Sequence, residues 1–403
     1  MAKTVVIVGA LDTKGKEFAF VKDLIVKEGL NTLVVDFGVM GQPAFTPDIS
    51  RDEVAQKGGG SLAALSSGEH KDEAMKVMAA GLKAVVSELY AQGKLDGIFG
   101  MGGSGGTSIA TGAMRTLPVG VPKVIVSTVG GGDVSAYTGS KDITFIPSIV
   151  DVAGINSISR AIYTNGAGAI AGMVKMERPQ AAAEKPLIAA SMFGNTTTCV
   201  DRARAMLENA GYEVLVFHAT GTGGKTMESL ISDGYIVASL DITTTELADE
   251  VCGGVFSAGP LRGQAASRKG IPAILVPGCV DMANFGGVET MPEKYKGRNI
   301  YQWNPNVTLL RTNVEENIKM GLMLAEAANA ASAPVAVILP LKGVSMLDSE
   351  GGQFWDPEAD KACYDTIKKN LKPGIPVIES DHNINDPEFA DLCAKTLLDM
   401  LNK

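Results

Sequence analysis

The sequence lacks any apolar run near the roughly 20 residues that a membrane-spanning helix needs, and Met1-Ala2-Lys3 leads straight into Thr4-Val-Val-Ile-Val-Gly9 with no signal-peptide layout. Aromatic residues make up only 5% of the chain, which argues against a base-stacking platform. Positive charge is short as well. Lys and Arg total 36 against 45 Asp and Glu, a formal charge of −9 with no basic block, which disfavours binding to nucleic-acid phosphates. Five cysteines (Cys199, Cys252, Cys279, Cys363, Cys393) are scattered, odd in number and without C-x-x-C spacing. They predict a reducing compartment and neither a disulfide framework nor structural zinc. These absences predict a cytoplasmic protein with no membrane and no nucleic-acid partner.

Glycine is abundant, at 47 of 403 residues. It concentrates at Ile98-Phe-Gly-Met-Gly-Gly-Ser-Gly-Gly-Thr107, between an apolar run and a helix-like run from Ser108 to Leu117. That layout predicts a phosphate cradle. Glycines let bare N–H groups approach an anion, and the helix behind them adds the positive end of its dipole. Gly100, Gly102 and Gly105 match G-x-G-x-x-G, a spacing that arises easily in a glycine-rich chain; the strand-turn-helix context is what gives it weight.

The length predicts two domains. Short apolar runs alternate with amphipathic segments through both halves, the pattern of βα units around parallel sheets. Strands are expected at 4–9, 32–37, 97–99 and 123–128, with helices at 14–28, 71–92, 106–117 and 152–175. The stretch 176–185 breaks the pattern and reads as a linker. A second series has strands at 186–194, 213–217, 235–240, 273–276, 335–339 and 376–379, and a closing helix at 387–401. The expected architecture is α/β: two doubly wound, Rossmann-like parallel-sheet domains, 1–180 and 186–403, facing a cleft, with ligands at strand C-terminal ends.

A nicotinamide site is not expected, because its parts are separated. Strand one ends in Gly9-Ala-Leu-Asp-Thr-Lys-Gly15, Asp36 ends strand two, where it reads as a loop cap, and the cradle comes much later. A mononucleotide across two neighbouring βα turns fits better. The expected phosphate-binding set is Gly9, Asp12, Thr13 and Lys14 with Gly102, Gly103, Ser104, Gly105, Gly106 and Thr107. Thr128 adds a hydroxyl, and Asp133, closing Val129-Gly-Gly-Gly-Asp133, a magnesium carboxylate. In the second half, Thr220-Gly-Thr-Gly-Gly-Lys-Thr226 falls short of a Walker A motif, since Ala219 stands where its first glycine belongs, yet its turn can bind an anion. His218 before it, Glu246 and Asp281 are the candidate proton-transfer groups. His218 is one of three histidines, with His70 and His382; Cys279 reads as a buried thiol.

The loops together resemble the Tm-one-like ATP-binding family, which includes the N-terminal region of a tomato tobamovirus-resistance protein and many bacterial members. The resemblance rests on Asp12-Thr-Lys-Gly15, Gly102 to Thr107, Leu117-Pro-Val-Gly-Val-Pro-Lys123, Asp151-Val-Ala-Gly-Ile-Asn156 and Ala190-Ser-Met-Phe-Gly194. It continues through Phe217-His-Ala-Thr-Gly221, Asp241 to Leu247, Gly253 to Pro260 and Asn383-Ile-Asn-Asp386. It implies two α/β domains, ATP bound in the first, a homodimer or larger assembly, and a separate TIM-barrel partner protein. Trp303-Asn-Pro305 departs from the family's usual His-Asn-Pro, and Lys225 stands where arginine is commoner, losing a bidentate fork.

The leading expectation is therefore a binder of ATP or a related nucleotide, with Mg2+ as companion ion. Two others stand beside it: an enzyme acting on a small carboxylate, acyl or sugar-acid phosphate, and an interaction protein stabilised by its nucleotide.

Overall fold

A computed structural model describes residues 2–65, 71–177 and 184–402. His70 and the centre of the expected linker, with the expected domain end at 180, lie outside the described residues. The chain divides into two compact units, Met1–Gln180 and Ala181–Lys403.

The first unit is built on five parallel strands: β1 (Thr4–Gly9), β2 (Asn31–Asp36), β3 (Gly97–Gly102), β4 (Lys123–Ser127) and β5 (Thr144–Pro147), in the order β2-β1-β3-β4-β5. β1 carries apolar residues at consecutive positions because both sheet faces are covered. Val5 and Ile7 pack with Phe18, Tyr163 and Ile170 of the helices Leu11–Lys27 and Ser157–Lys175. Val6 and Val8 pack oppositely, with Val54, Met78, Leu82 and Ile109 of the helices Arg51–Lys57, Lys71–Ala91 and Ser104–Met114. β5 was not expected from sequence, being a four-residue edge strand with no buried position. The helix expected from Gly106 starts two residues earlier, at Ser104, because extended Gly103 (φ −76°, ψ −170°) is its N-cap. The glycines Gly105 and Gly106 therefore lie in the first helical turn.

The second unit has six parallel strands, β6 (Leu187–Met192), β7 (Glu213–His218), β8 (Ile236–Thr243), β9 (Ala273–Gly278) and, after the small sheet described next, β13 (Val335–Pro340) and β14 (Val377–Ser380), ordered β14-β13-β9-β8-β6-β7. Cores lie on both faces, one around Met227, Leu247 and Leu324, the other around Val200, Leu207 and Phe389. Beyond the expected layout, β10 (Met282–Phe285), β11 (Ile300–Asn304) and β12 (Val307–Arg311) form a separate antiparallel sheet, β10-β12-β11. These strands hold four or five residues each, too few for a periodic signal. No described helix is long and apolar enough to cross a membrane.

Candidate functional site

In the order β2-β1-β3-β4-β5 the chain reverses direction between β1 and β3, and a crevice opens outside the strand C-terminal ends at such a point. The loops after β1 and β3 are those singled out by sequence. After β3, the helix Ser104–Met114 begins with no side-chain cap. Thr107 N–H bonds the carbonyl of Gly103 at 2.9 Å, which leaves the N–H groups of Ser104, Gly105 and Gly106 without a bonding partner among the described residues.

The glycines of this turn differ in what holds them. Methyl groups built on Gly9 and Gly100 would meet Phe18 at 2.1 Å and Ala110 at 3.2 Å, so packing explains both. Gly102 is tight against the backbone of Gly106 at 3.2 Å. Gly103, Gly105 and Gly106 have no positive φ, and their nearest neighbours would be Thr128 Oγ1 at 3.8 Å, Met75 Cε at 3.5 Å and Met101 O at 3.7 Å. Neither backbone conformation nor protein packing requires glycine at these three positions.

Around the turn, Ser104 and Thr128 are exposed. Thr107 is fully buried, and its hydroxyl shares a 2.6 Å hydrogen bond with that of Ser127, so it faces the sheet. After β1, Asp12 Oδ2 accepts the N–H groups of Met40 (2.7 Å) and Gly41 (3.2 Å), pinning the loop after β2. Lys14 Nζ donates to the carbonyl of Val152, and Thr13 is exposed. Asp36, buried, accepts Leu11 and Gly38 N–H groups at 3.0 and 2.9 Å, as a loop cap does. Burial raises its pKa, opposed by those two bonds. Asp133 is exposed and accepts Ser135 N–H at 2.9 Å, a bond that lowers its pKa. No three His, Cys, Asp or Glu residues among those described converge to hold a metal ion.

In the second unit the glycine turn after β7 does receive an anion, and it is the chain's own. Glu246 Oε1 accepts the N–H groups of Gly221 (2.7 Å) and Gly224 (3.0 Å) at the start of the helix Thr222–Asp233. A Cβ on Gly224 would lie 2.1 Å from that carboxylate. Glu246 Oε2 accepts Arg262 Nε at 2.5 Å, and Arg262 also forks onto Asp241 at 2.5 and 2.8 Å. Both Glu246 and Asp241 are buried. Glu246, expected as a proton-transfer group, thus caps a helix and neutralises an arginine.

Asp281 is wholly buried beyond β9; Oδ2 accepts Ser345 Oγ at 2.8 Å, while Oδ1 has no hydrogen-bond partner among the described residues. Burial, then the neighbouring Asp348, push its pKa to about 7. Arg311 bonds Asp360 at 2.8 Å and lies 3.5 Å from Asp348. His218, exposed at the end of β7, packs against Phe193 with ring centres 5.3 Å apart. No hydrogen bond joins His218 to Glu246 or Asp281, so the three form no catalytic relay. Cys279 is fully buried at φ +56°, and burial first, then Asp281, raise its pKa well above the usual thiol value, the setting of an inert thiol.

Both units match one family along almost their whole length. Sequence profiles of the Uncharacterised protein family (UPF0261) N-terminal and C-terminal domains match residues 3–179 and 185–401. The chain belongs to the UPF0261 family. This UPF0261 chain is 52% identical over 404 residues to a UPF0261 protein of Clostridium tetani, covering all of both. It is also 41% identical over 340 residues to the ToMV resistance protein Tm-1(GCR237) of Solanum lycopersicum, across 82% of this chain and 45% of that protein. The resemblance read from the loop motifs is therefore real. Among solved structures, Est1E from Butyrivibrio proteoclasticus aligns with 55% of the chain and 90% of its own at 15% identity and TM-score 0.31. UDP-N-acetylglucosamine 2-epimerase from Rickettsia bellii covers 100% and 96% at 10% identity and TM-score 0.24. The fold assignment rests on the strand orders above.

Sequence reasoning missed Arg262 and Arg311 in this UPF0261 chain, the buried cations beside Asp241, Glu246, Asp348 and Asp360. Gly259-Pro-Leu-Arg262 is flanked by turn residues and reads as an ordinary loop. The usable signal was a surplus of acids at 241, 246, 281, 348 and 360 in a chain region rich in apolar strands, since buried acids need a cation or a proton.

Proposed function

We propose that this protein binds a phosphorylated small molecule, nucleotides included, with the phosphate held on the N-terminus of the helix Ser104–Met114. The observation that carries this reading is the set of three glycines, Gly103, Gly105 and Gly106, that the protein itself has no steric use for. Two of them occupy helical positions, where glycine costs about 1 kcal/mol relative to alanine. Backbone left bare for something outside the chain accounts for them, and three unpartnered N–H groups at the positive end of a helix dipole select an anion. Ser104 and Thr128 add hydroxyl donors on the rim. Support also comes from Ile149 beyond β5, on the same edge of the sheet. It is 70% exposed with φ +63°, a strained conformation for a β-branched residue. Among the described residues no cluster of three metal-ligating side chains forms around Asp133, so a Mg2+ ion arriving with ATP would take most of its ligands from phosphate and water. Asp12 and Lys14 act by shaping the crevice wall, given their bonds to the 40–41 backbone and to Val152.

Titration calorimetry with ATP, ADP, AMP and inorganic phosphate tests the reading. Gly103→Val and Gly105→Val should fold normally and lose binding; retained affinity moves the site elsewhere. A sharper signature is opposite movement of stability and affinity. Gly105→Ala with Gly106→Ala should stabilise the first unit by about 1–2 kcal/mol, read by urea unfolding, while phosphate affinity falls. A drop in stability would show that packing, not a ligand, keeps these glycines. Assembly into a homodimer or larger is part of the same proposal, and light scattering giving a single species at the chain mass of 41.9 kDa would count against it.

A further inference from the structure

A cavity of about 260 Å3 lies beside the phosphate turn within the first unit. Phe37, Leu65, Met75, Met78 and Ile109 line it, with Met40 at its lip, and every described lining side chain is apolar. It touches the turn at two points. Met75 Cε is 3.5 Å from where a Cβ on Gly105 would stand, and Ile109 follows one turn along the helix whose N-terminus would hold the phosphate. The loop that supplies Val39 and Met40 is fixed by Asp12, so the cavity wall and the β1 loop are one structure.

The cavity opens to solvent at Met40, and Val39, Leu65 and Met75 are left only partly buried around it, an apolar hollow that the chain itself does not fill. An apolar cavity of about 150 Å3 already accommodates a benzene ring and stays free of water. Methionines suit a pocket that must fit flexible apolar groups, and three line this one. Among the described residues no polar side chain faces this cavity, so a polar group placed there would lose its water without a side-chain partner from them, a cost that an aliphatic group avoids.

We infer that the ligand of this site is amphiphilic: an alkyl or acyl group enters the methionine-lined cavity while the phosphate attached to it rests on the free N–H groups of Ser104, Gly105 and Gly106. The inference rests on the phosphate reading above and narrows its ligand class. Each methylene buried adds about 0.8 kcal/mol, which is about fourfold in affinity.

The experiment is calorimetry on the full chain with inorganic phosphate, methyl, butyl and hexyl phosphate, and AMP. Affinity should climb about fourfold per methylene until the cavity fills, and hexyl phosphate should exceed AMP. Ala74→Phe, which fills the cavity from its wall, should flatten that climb and leave inorganic phosphate affinity within about twofold. Should Ala74→Phe not fold, half-buried Met75→Gln gives the same readout by placing an amide against the chain. A flat chain-length series alongside phosphate binding that Gly103→Val abolishes would overturn the apolar subsite and leave the phosphate turn standing. AMP binding more tightly than hexyl phosphate, unaffected by Ala74→Phe, would overturn it in favour of a nucleoside held elsewhere. Phosphate binding that survives Gly103→Val would sink the turn itself, and the subsite with it.

Discussion

Arg262→Met is expected to cost the second unit about 3–5 kcal/mol, the range for removing one partner of a buried ion cluster. The guanidinium is buried and binds Glu246 through Nε, Asp241 through both Nη atoms, the carbonyl of Thr243 at 3.3 Å and Glu228 at 3.4 Å. Burial draws its pKa down, and Asp241 and Glu246 more than reverse that, holding it well above the ordinary arginine value. Methionine keeps the volume and strands carboxylates that themselves hold other parts in place. Glu246 caps Gly221 and Gly224, Asp241 accepts Ser191 Oγ at 2.6 Å, and Glu228 accepts the N–H groups of Gly263 and Ala265. Arg262→Lys keeps the charge and loses the fork, and should fall between wild type and Met. Urea unfolding followed by circular dichroism measures both; a loss under about 1 kcal/mol for Arg262→Met would mean that the acids find other partners or protons. Since folded domains hold only about 5–15 kcal/mol in total, the expected loss is a large share.

The second large effect is with pH, and its sign is set by carboxyls whose folded pKa is raised. Burial pushes Asp281 and Asp249 to about 7, and burial with the adjacent Asp348 pushes Asp360 to about 9, against an unfolded value near 3.9. Between those limits the folded state holds protons that the unfolded chain has released. The stabilising contribution is therefore complete below about pH 4, declines as pH rises, and is gone above about pH 9. Asp249 alone, raised to about 7, gives up about two units of that difference between pH 5 and pH 7, about 3 kcal/mol, so the melting temperature of the second unit should fall by on the order of 10 °C from pH 5 to pH 9. Asp281→Asn should flatten part of that slope, because its amide cannot ionise, while Ser345 keeps a neighbouring acceptor. A melting temperature that rises with pH over this interval would refute the assignment of bound protons.

How far the sequence reached can be judged at particular residues. β1 at Thr4–Gly9 and the closing helix Pro387–Leu401 were read to the residue, since a buried strand leaves a run of Val and Ile and an amphipathic helix leaves helical spacing after Pro387. The small antiparallel sheet was not legible. Its strands hold four or five residues each, and β10 pairs with β12 across the whole of residues 286–306, a separation that no local pattern records. The turn after β3 was legible because its glycines are clustered, yet the glycines that packing requires could not be told from those it does not. Gly100 and Gly103 look alike in sequence; the Ala110 methyl near one and open space near the other separates them.

By itself, then, the sequence determined the α/β class, the parallel strands, the family and the glycine turn facing a crevice, since these follow from periodicity, composition and local backbone freedom. Only the tertiary structure decided which charges do what. Glu246 and Asp281 carry the residue types of acid–base catalysis; the fold buries Glu246 against Arg262, and Asp281 against Ser345 with Asp348 nearby. The reason is physical: a carboxylate's chemistry depends on the dielectric and the partners around it, and those partners come from strands and loops far apart in the chain.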